Sequence, residues 1–212
     1  MEPVMLALEL IGTCAFAVSG AVAAMNKRLD LFGVVFCGIV TALGGGIIRD
    51  ILLCNLPPVM FSNYIYLIVA VVTCFAAFVA GRVYREAFAE KIPRIDQINN
   101  IFDAIGLGVF TIVGINTACS VGYGGNAFFA IFLGMTTGCG GGILRDIIVR
   151  EVPLVLSKRV YAVASIVGGL VYYHLFQIWG LPEIVSVLCG VACVFIVRIL
   201  ATVFRWDLPR AF

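Results

Sequence analysis

Seven apolar runs divide this chain: Val4–Ala24, Leu31–Leu53, Tyr64–Ala80, Ile101–Thr117, Ala127–Leu144, Val160–Gln177 and Ile184–Val203. Each is close to the about 20 predominantly apolar residues that a helix needs to cross the hydrocarbon core of a bilayer. The runs do not alternate apolar and polar residues, and they are too long for barrel strands, so the expectation is an all-α membrane protein of seven transmembrane helices. Composition agrees. Of the 212 residues, 62% are hydrophobic and 12% charged, whereas a soluble domain carries about a quarter charged residues. There is too little charge to coat a water-soluble surface, which argues against a soluble enzyme, a nucleic-acid binder or a disordered linker. Short loops leave no room for an extramembrane catalytic domain, and an enzyme is not expected. The first run begins beside Glu2 with no Lys or Arg, and its full-span length reads as a first helix rather than a cleavable signal. The eight cysteines form no CxxC pair, and His174 is the only histidine. Neither a metal site nor a cofactor is expected.

The loops alternate in basic charge. Lys27 and Arg28, then Arg82, Arg85, Lys91 and Arg94, then Arg145, Arg150, Lys158 and Arg159, then Arg198, Arg205 and Arg210 are assigned to one side. The N-terminus, Asn55–Asn63, Ser120–Asn126 and Gly180–Pro182 carry no Lys or Arg. The bias predicts an external N-terminus and a cytoplasmic C-terminus in a multi-pass plasma-membrane protein, and it favours seven spans over six or eight.

The chain also repeats itself. GGGIIRD at Gly44–Asp50 recurs as GGGILRD at Gly140–Asp146, and ELIGTCAFAVSG at Glu9–Gly20 matches DAIGLGVFTIVG at Asp103–Gly114. Spans one to three therefore resemble spans four to six, and span seven is an addition. Three is odd, so the second copy starts on the opposite side of the membrane from the first. The units expected are a first three-helix repeat over 4–83, a cytoplasmic linker over 84–100, a second, inverted three-helix repeat over 101–177, and a seventh transmembrane helix over 183–205. Inverted repeats place a transport pathway at the repeat interface near the bilayer midplane.

Each glycine costs about 1 kcal/mol relative to alanine inside a helix, so Gly44, Gly45 and Gly46, and again Gly140, Gly141 and Gly142, weaken spans two and five. Two explanations stand: close helix packing through small residues, or a broken or kinked helix that presents carbonyls to cations and N–H groups to anions. Charges near the hydrocarbon must be paired or wet. Arg49 could snorkel to the interface, but the repeat suggests two ion pairs, Glu9–Arg49 and Asp103–Arg145, as gates or charge filters at the two ends of one pathway. Asp50 and Asp146 would cap the mouths or attract cations there. Tyr64, Tyr66, Tyr84, Tyr172, Tyr173 and Trp179 suit the interfacial aromatic belt.

An acidic residue–x–x–G…F…G block followed by GGG-[IL]-[IL]-RD, present twice, resembles the bacterial glycine-transporter-domain family, which is related to the trimeric intracellular cation (TRIC) channels. The resemblance runs from about Leu6 to Val203. It implies seven helices with an external N-terminus, a 3+3 inverted repeat plus one helix, and a homotrimer with a pore in each protomer. It also implies glycine-triplet kinks in helices two and five, with Arg49 and Arg145 facing or near the pore. The lysine-centred motif of the animal channels has no clear counterpart here. The function expected is a passive, potassium-permeable monovalent cation channel, the alternative being a secondary transporter for glycine or a similar small amino acid. Its partners are the lipid bilayer and the transported ion or amino acid, with no nucleic acid.

Overall fold

The computed structural model describes residues 3–83, 92–157 and 160–206. Seven helices among them are long and apolar enough to cross a membrane: α1 (Pro3–Asn26), α2 (Leu31–Leu52), α4 (Ile65–Val83), α5 (Ile92–Ala118), α6 (Ala127–Ile148), α8 (Tyr161–Tyr173, continued by a π-helical turn His174–Ile178) and α9 (Glu183–Val203). Two short helical turns, α3 (Val59–Ser62) and α7 (Leu154–Ser157), precede α4 and α8. The linker expected over 84–100 falls partly outside the described residues, at 84–91; from Ile92 onward the chain is already helical and belongs to α5. Arg85, Lys91, Lys158, Arg159, Arg210 and Tyr84 also lie outside the described residues.

Local chemistry starts and stops the helices in the same way in both halves. Asp30 Oδ1 accepts from the Gly33 N–H at 2.8 Å, and Asn126 Oδ1 accepts from the Phe129 N–H at 3.1 Å, so each satisfies an orphan donor of α2 or α6. At the far ends, Cys54 and Arg150 adopt left-handed φ values of 55° and 57°. The following N–H groups of Asn55 and Glu151 turn back to the carbonyls of Asp50 and Asp146, both at 2.8 Å. This Schellman closure normally takes glycine. It brings the next segment back over the helix end, where Asp50 Oδ2 accepts from the Val59 N–H at 2.9 Å and Asp146 Oδ2 accepts from the Leu154 N–H at 2.7 Å. Each aspartate therefore ties the helix that bears it to the short turn before the third span.

The centre of the bundle is α1, α2, α5 and α6, and equivalent helices cross one another. Phe16 of α1 stacks on Phe110 of α5 with ring centroids 5.4 Å apart. A Cβ on Gly45 would meet the Thr137 carbonyl oxygen at 2.0 Å, and one on Gly141 would meet the Thr41 carbonyl oxygen at 2.0 Å. One on Gly44 would meet Leu144, and one on Gly140 would meet Ile48. Contact positions fall along α6 as they rise along α2, so the two helices run antiparallel. Thr41 and Thr137 bond to carbonyls one turn back, at 2.7 and 2.6 Å, as do Thr13 and Thr111, both at 2.7 Å. Helices α4, α8 and α9 surround this centre and expose apolar side chains such as Val72, Val163 and Leu188, as a lipid-facing surface requires.

Of the broken or kinked helix expected at each triplet, the break is absent. Helices α2 and α6 run without interruption through Gly44–Gly46 and Gly140–Gly142, so no helix-end carbonyls or N–H groups are released at these sites. The glycines serve the other explanation: they remove the side chains that would hold α2 and α6 apart. The aromatic expectation divides. Tyr64 and Trp179 are exposed, but Tyr66, Tyr172 and Tyr173 are buried, and each Oη donates to an internal acceptor: the Glu9 carboxylate, Asn116 Oδ1 and the Gly124 carbonyl.

Candidate functional site

Two clusters of ionisable side chains lie inside the bundle at equivalent positions of the two halves. The first joins Glu9 of α1, Arg49 and Asp50 of α2, and Tyr66 of α4. Arg49 Nε donates to Asp50 Oδ1 at 2.9 Å, and Arg49 Nη2 lies 2.8 Å from the same oxygen. Tyr66 Oη donates to the Glu9 carboxylate. The second cluster joins Asp103 of α5, Arg145 and Asp146 of α6, and Tyr161 of α8. Arg145 Nε donates to Asp146 Oδ1 at 2.8 Å, and Tyr161 Oη donates to Asp103 Oδ1 at 3.3 Å.

Here the likeness ends. Arg145 Nη1 also donates to Asp103 Oδ1 at 2.6 Å and to Ser19 Oγ of α1 at 2.5 Å, so the expected Asp103–Arg145 pair is formed. The expected Glu9–Arg49 pair is not: among the described residues no ion pair joins these two, although both line one cavity with Asp50 and Tyr66. The repeat explains the difference. Ser19 anchors the Arg145 guanidinium beside Asp103, whereas the position of α5 equivalent to Ser19 is Val113, which offers no acceptor. Arg49 keeps the bond to Asp50 that Arg145 also makes to Asp146, and the Glu9 carboxylate accepts from Tyr66. The first cavity holds about 40 Å³, room for one or a few waters. The second, between Asn26, Asn99, Asp103, Arg145, Asp146 and Glu151, holds about 420 Å³.

The seventh helix adds a residue that the loop-charge count assigned to the cytoplasmic side. Arg198 is 1% exposed. Its Nη2 donates to Asn100 Oδ1 at 2.8 Å and lies 3.6 Å from Asp103 Oδ2, and its guanidinium carbon stands 4.6 Å over the Tyr161 ring. Asn100 Nδ2 in turn donates to Thr202 Oγ1 at 3.2 Å. The signal was present in the sequence, since Arg198 interrupts the last apolar run well before its end and an arginine inside a span points to function. Tyr66 and Tyr161 were also within reach, because they recur at nearly the offset that separates the glycine triplets. Among the described residues no group of His, Cys, Asp and Glu side chains is placed to hold a metal ion.

A family profile described as Glycine transporter matches residues 6–82 and again residues 100–177, once over each half. The chain belongs to the glycine transporter family. Relatives extend over nearly its whole length. The UPF0126 inner membrane protein YadS of Escherichia coli (strain K12) is 36% identical over 95% of this chain and 92% of its own. The UPF0126 membrane protein YvgT of Bacillus subtilis (strain 168) is 35% identical over 96% and 94%. The crystal structure of a prokaryotic TRIC channel is 33% identical, covers 98% of this chain and 100% of that one, and superposes with a TM-score of 0.86. A TRIC trimeric intracellular cation channel orthologue from Rhodobacter sphaeroides is 28% identical over 97% and 100%, also at 0.86. This member of the glycine transporter family is thus a multi-pass membrane protein with the fold of these channels.

One contact across the second cavity has a predictable weight. Lys27, in the turn after α1, pairs with Glu151 beyond α6, and both side chains are largely exposed. An exposed pair contributes about 1 kcal/mol at most. Lys27→Gln is expected to lower the thermal midpoint of the purified protein only slightly, and by less in about 1 M salt, where the Debye length is about 3 Å. A large, salt-independent loss would show that the pair carries structure.

Proposed function

We propose that this glycine transporter family protein is a passive cation channel of the bacterial plasma membrane, permeable to potassium and other monovalent cations. The pathway lies within each chain of a homotrimer, between the two oppositely directed halves. The N-terminus is external, so the Glu9–Arg49–Asp50 cluster guards the outer end, and the Asp103–Arg145–Asp146 cluster guards the cytoplasmic end. The observation that carries this reading is the end-to-end likeness to cation-channel structures, among them a TRIC cation channel that is 38% identical over 97% of this chain with a TM-score of 0.81. The antiparallel contacts of α2 with α6, and of Phe16 with Phe110, support the inverted repeat. Carboxylates at both cavities support cation passage, because they lower the cost of bringing a positive ion into low-dielectric surroundings. Continuous helices at both triplets move the burden of ion contact from backbone carbonyls to these side chains. Gly44–Gly46 and Gly140–Gly142 become the place where α2 and α6 slide or bend against each other.

The family's description favours a second reading, uptake of glycine or a similar small amino acid. The two are separated by reconstituting the purified protein in planar bilayers and in liposomes. Unitary current steps that reverse towards the potassium equilibrium potential are expected; saturable, gradient-driven glycine uptake without unitary steps would overturn the channel. Arg49→Ala and Arg145→Ala are expected to alter conductance or gating more than Arg205→Ala, and equal, negligible effects would remove the gate assignment.

A further inference from the structure

The two clusters occupy equivalent positions, yet their electrical balance differs. The cavity beside Glu9 is lined by one basic residue, Arg49, and two acidic ones, Glu9 and Asp50, an excess of one negative charge. The cavity beside Asp103 is lined by Lys27 and Arg145 against Asp103, Asp146 and Glu151, again an excess of one. Among the described residues a further cation stands behind the wall of the second, against the lining residues Asn100 and Asp103. Arg198 is held there by Asn100 and by the face of Tyr161, with Nη2 3.6 Å from Asp103 Oδ2. Among the described residues, neither that oxygen nor Arg198 Nε makes a hydrogen bond, so the guanidinium meets the carboxylate as a charge rather than as a donor. The other oxygen of Asp103 is committed to Arg145 and Tyr161. Among the described residues no element of the first half stands where α9 stands in the second.

We infer that Arg198 is the residue that sets the potential of the second vestibule, neutralising the free oxygen of Asp103 so that cations are enriched at the Glu9 end of the pathway and not at the Asp103 end. Arg198 acts through Asp103, as a positioning and charge-setting residue. Its consequence for current rests on the channel reading proposed above; its consequence for the vestibule potential does not. Where the potential acts through water in the open vestibule it extends over about 10 Å at 0.1 M salt and about 3 Å at 1 M, so that part of it can be read by changing ionic strength.

The test measures the potential directly. Val152 lines the vestibule and is 64% exposed. Val152→Cys is made in a background in which the exposed Cys54 and Cys189 are replaced by serine, and the full-length protein is reconstituted in lipid. The rates of modification by a cationic and by an anionic methanethiosulfonate are compared with those of a free thiol. With Arg198 intact, the cation-to-anion rate ratio is expected to change by less than about twofold between about 0.1 and 1 M salt. Arg198→Gln is expected to raise it about fivefold to tenfold at the lower salt, with most of the rise lost at the higher. Arg198→Lys keeps the charge and is expected to keep the original ratio. An unchanged ratio in Arg198→Gln, or the same change in Arg198→Lys, would overturn the inference. If Arg198→Gln fails to fold, the protein with Arg198 intact still decides: a strongly cation-favouring, salt-sensitive ratio there overturns the claim that the vestibule is neutral. In bilayers, Arg198→Gln is expected to raise potassium current entering from the Asp103 side and so change its rectification. A shifted ratio with no unitary current from any variant would defeat the channel and leave the charge-setting role standing.

Discussion

Arg145→Ala is expected to destabilise the protein by about 3–5 kcal/mol, the cost of removing one partner from a buried ion pair. The guanidinium is 1% exposed and donates to Asp103, Asp146 and Ser19. Without it, Asp146 loses its cation and Asp103 is left with the Tyr161 hydrogen bond and the 3.6 Å approach of Arg198. Arg49→Ala is expected to cost less, about 1.5–3 kcal/mol, as for hydrogen bonds to a charged group, because Arg49 is 7% exposed and, among the described residues, its ion pair is with Asp50 alone. Denaturation of the two variants in the same detergent or nanodisc checks the order. Equal losses would contradict the asymmetry between the clusters, and a negligible loss at Arg145 would mean that water already solvates that site.

The second large effect is steric. Gly45→Ala and Gly141→Ala each put a methyl group 2.0 Å from a backbone oxygen of the opposite helix, so α2 and α6 must separate. Overpacking of this kind costs about 1–3 kcal/mol and occasionally more, against about 1 kcal/mol recovered from the better helix propensity of alanine. At Gly46 the nearest atom outside its own neighbourhood is Arg49 Nη2 at 3.9 Å. Gly46→Ala is therefore expected to be neutral or stabilising by up to about 1 kcal/mol. Thermal unfolding of the three variants checks the contrast. Harmless alanines at Gly45 and Gly141 would remove the close-packing account. Impaired conductance in a stable Gly46→Ala would mark that glycine as a point of bending.

The spans are readable because a bilayer fixes the length of a helical crossing and admits only helices and closed barrels, and these runs are too long and too uniformly apolar for barrel strands. The paired partners were harder. Repetition of Glu9…Arg49 as Asp103…Arg145 suggests that both pairs form, yet closure of the second depends on Ser19, a residue of the other half whose counterpart is Val113. A repeat compared only with itself does not expose a contact that crosses between copies. The glycine triplets are ambiguous in a different way. Helix propensity measured in water favours a break, but a bilayer penalises unpaired backbone groups, and the gain from close approach of α2 and α6 is invisible until both helices are placed. Arg198 falls with the loops in a charge count because charge statistics treat basic residues near a span end alike. Tyr66 was assigned to the aromatic belt by type, although burial against Glu9 decides its place.

The reciprocal seating of Gly45 on Thr137 and of Gly141 on Thr41 bears on how such a chain diverges. A gene that doubles normally frees one half to wander while the other keeps the original duty. Here each half is the mould for its twin, so enlarging either seat displaces the backbone on which the other depends. The halves differ instead away from these seats, at Ser19 and its counterpart Val113 and in an appended helix that has no twin, and it is there that the two ends of the molecule acquire separate characters.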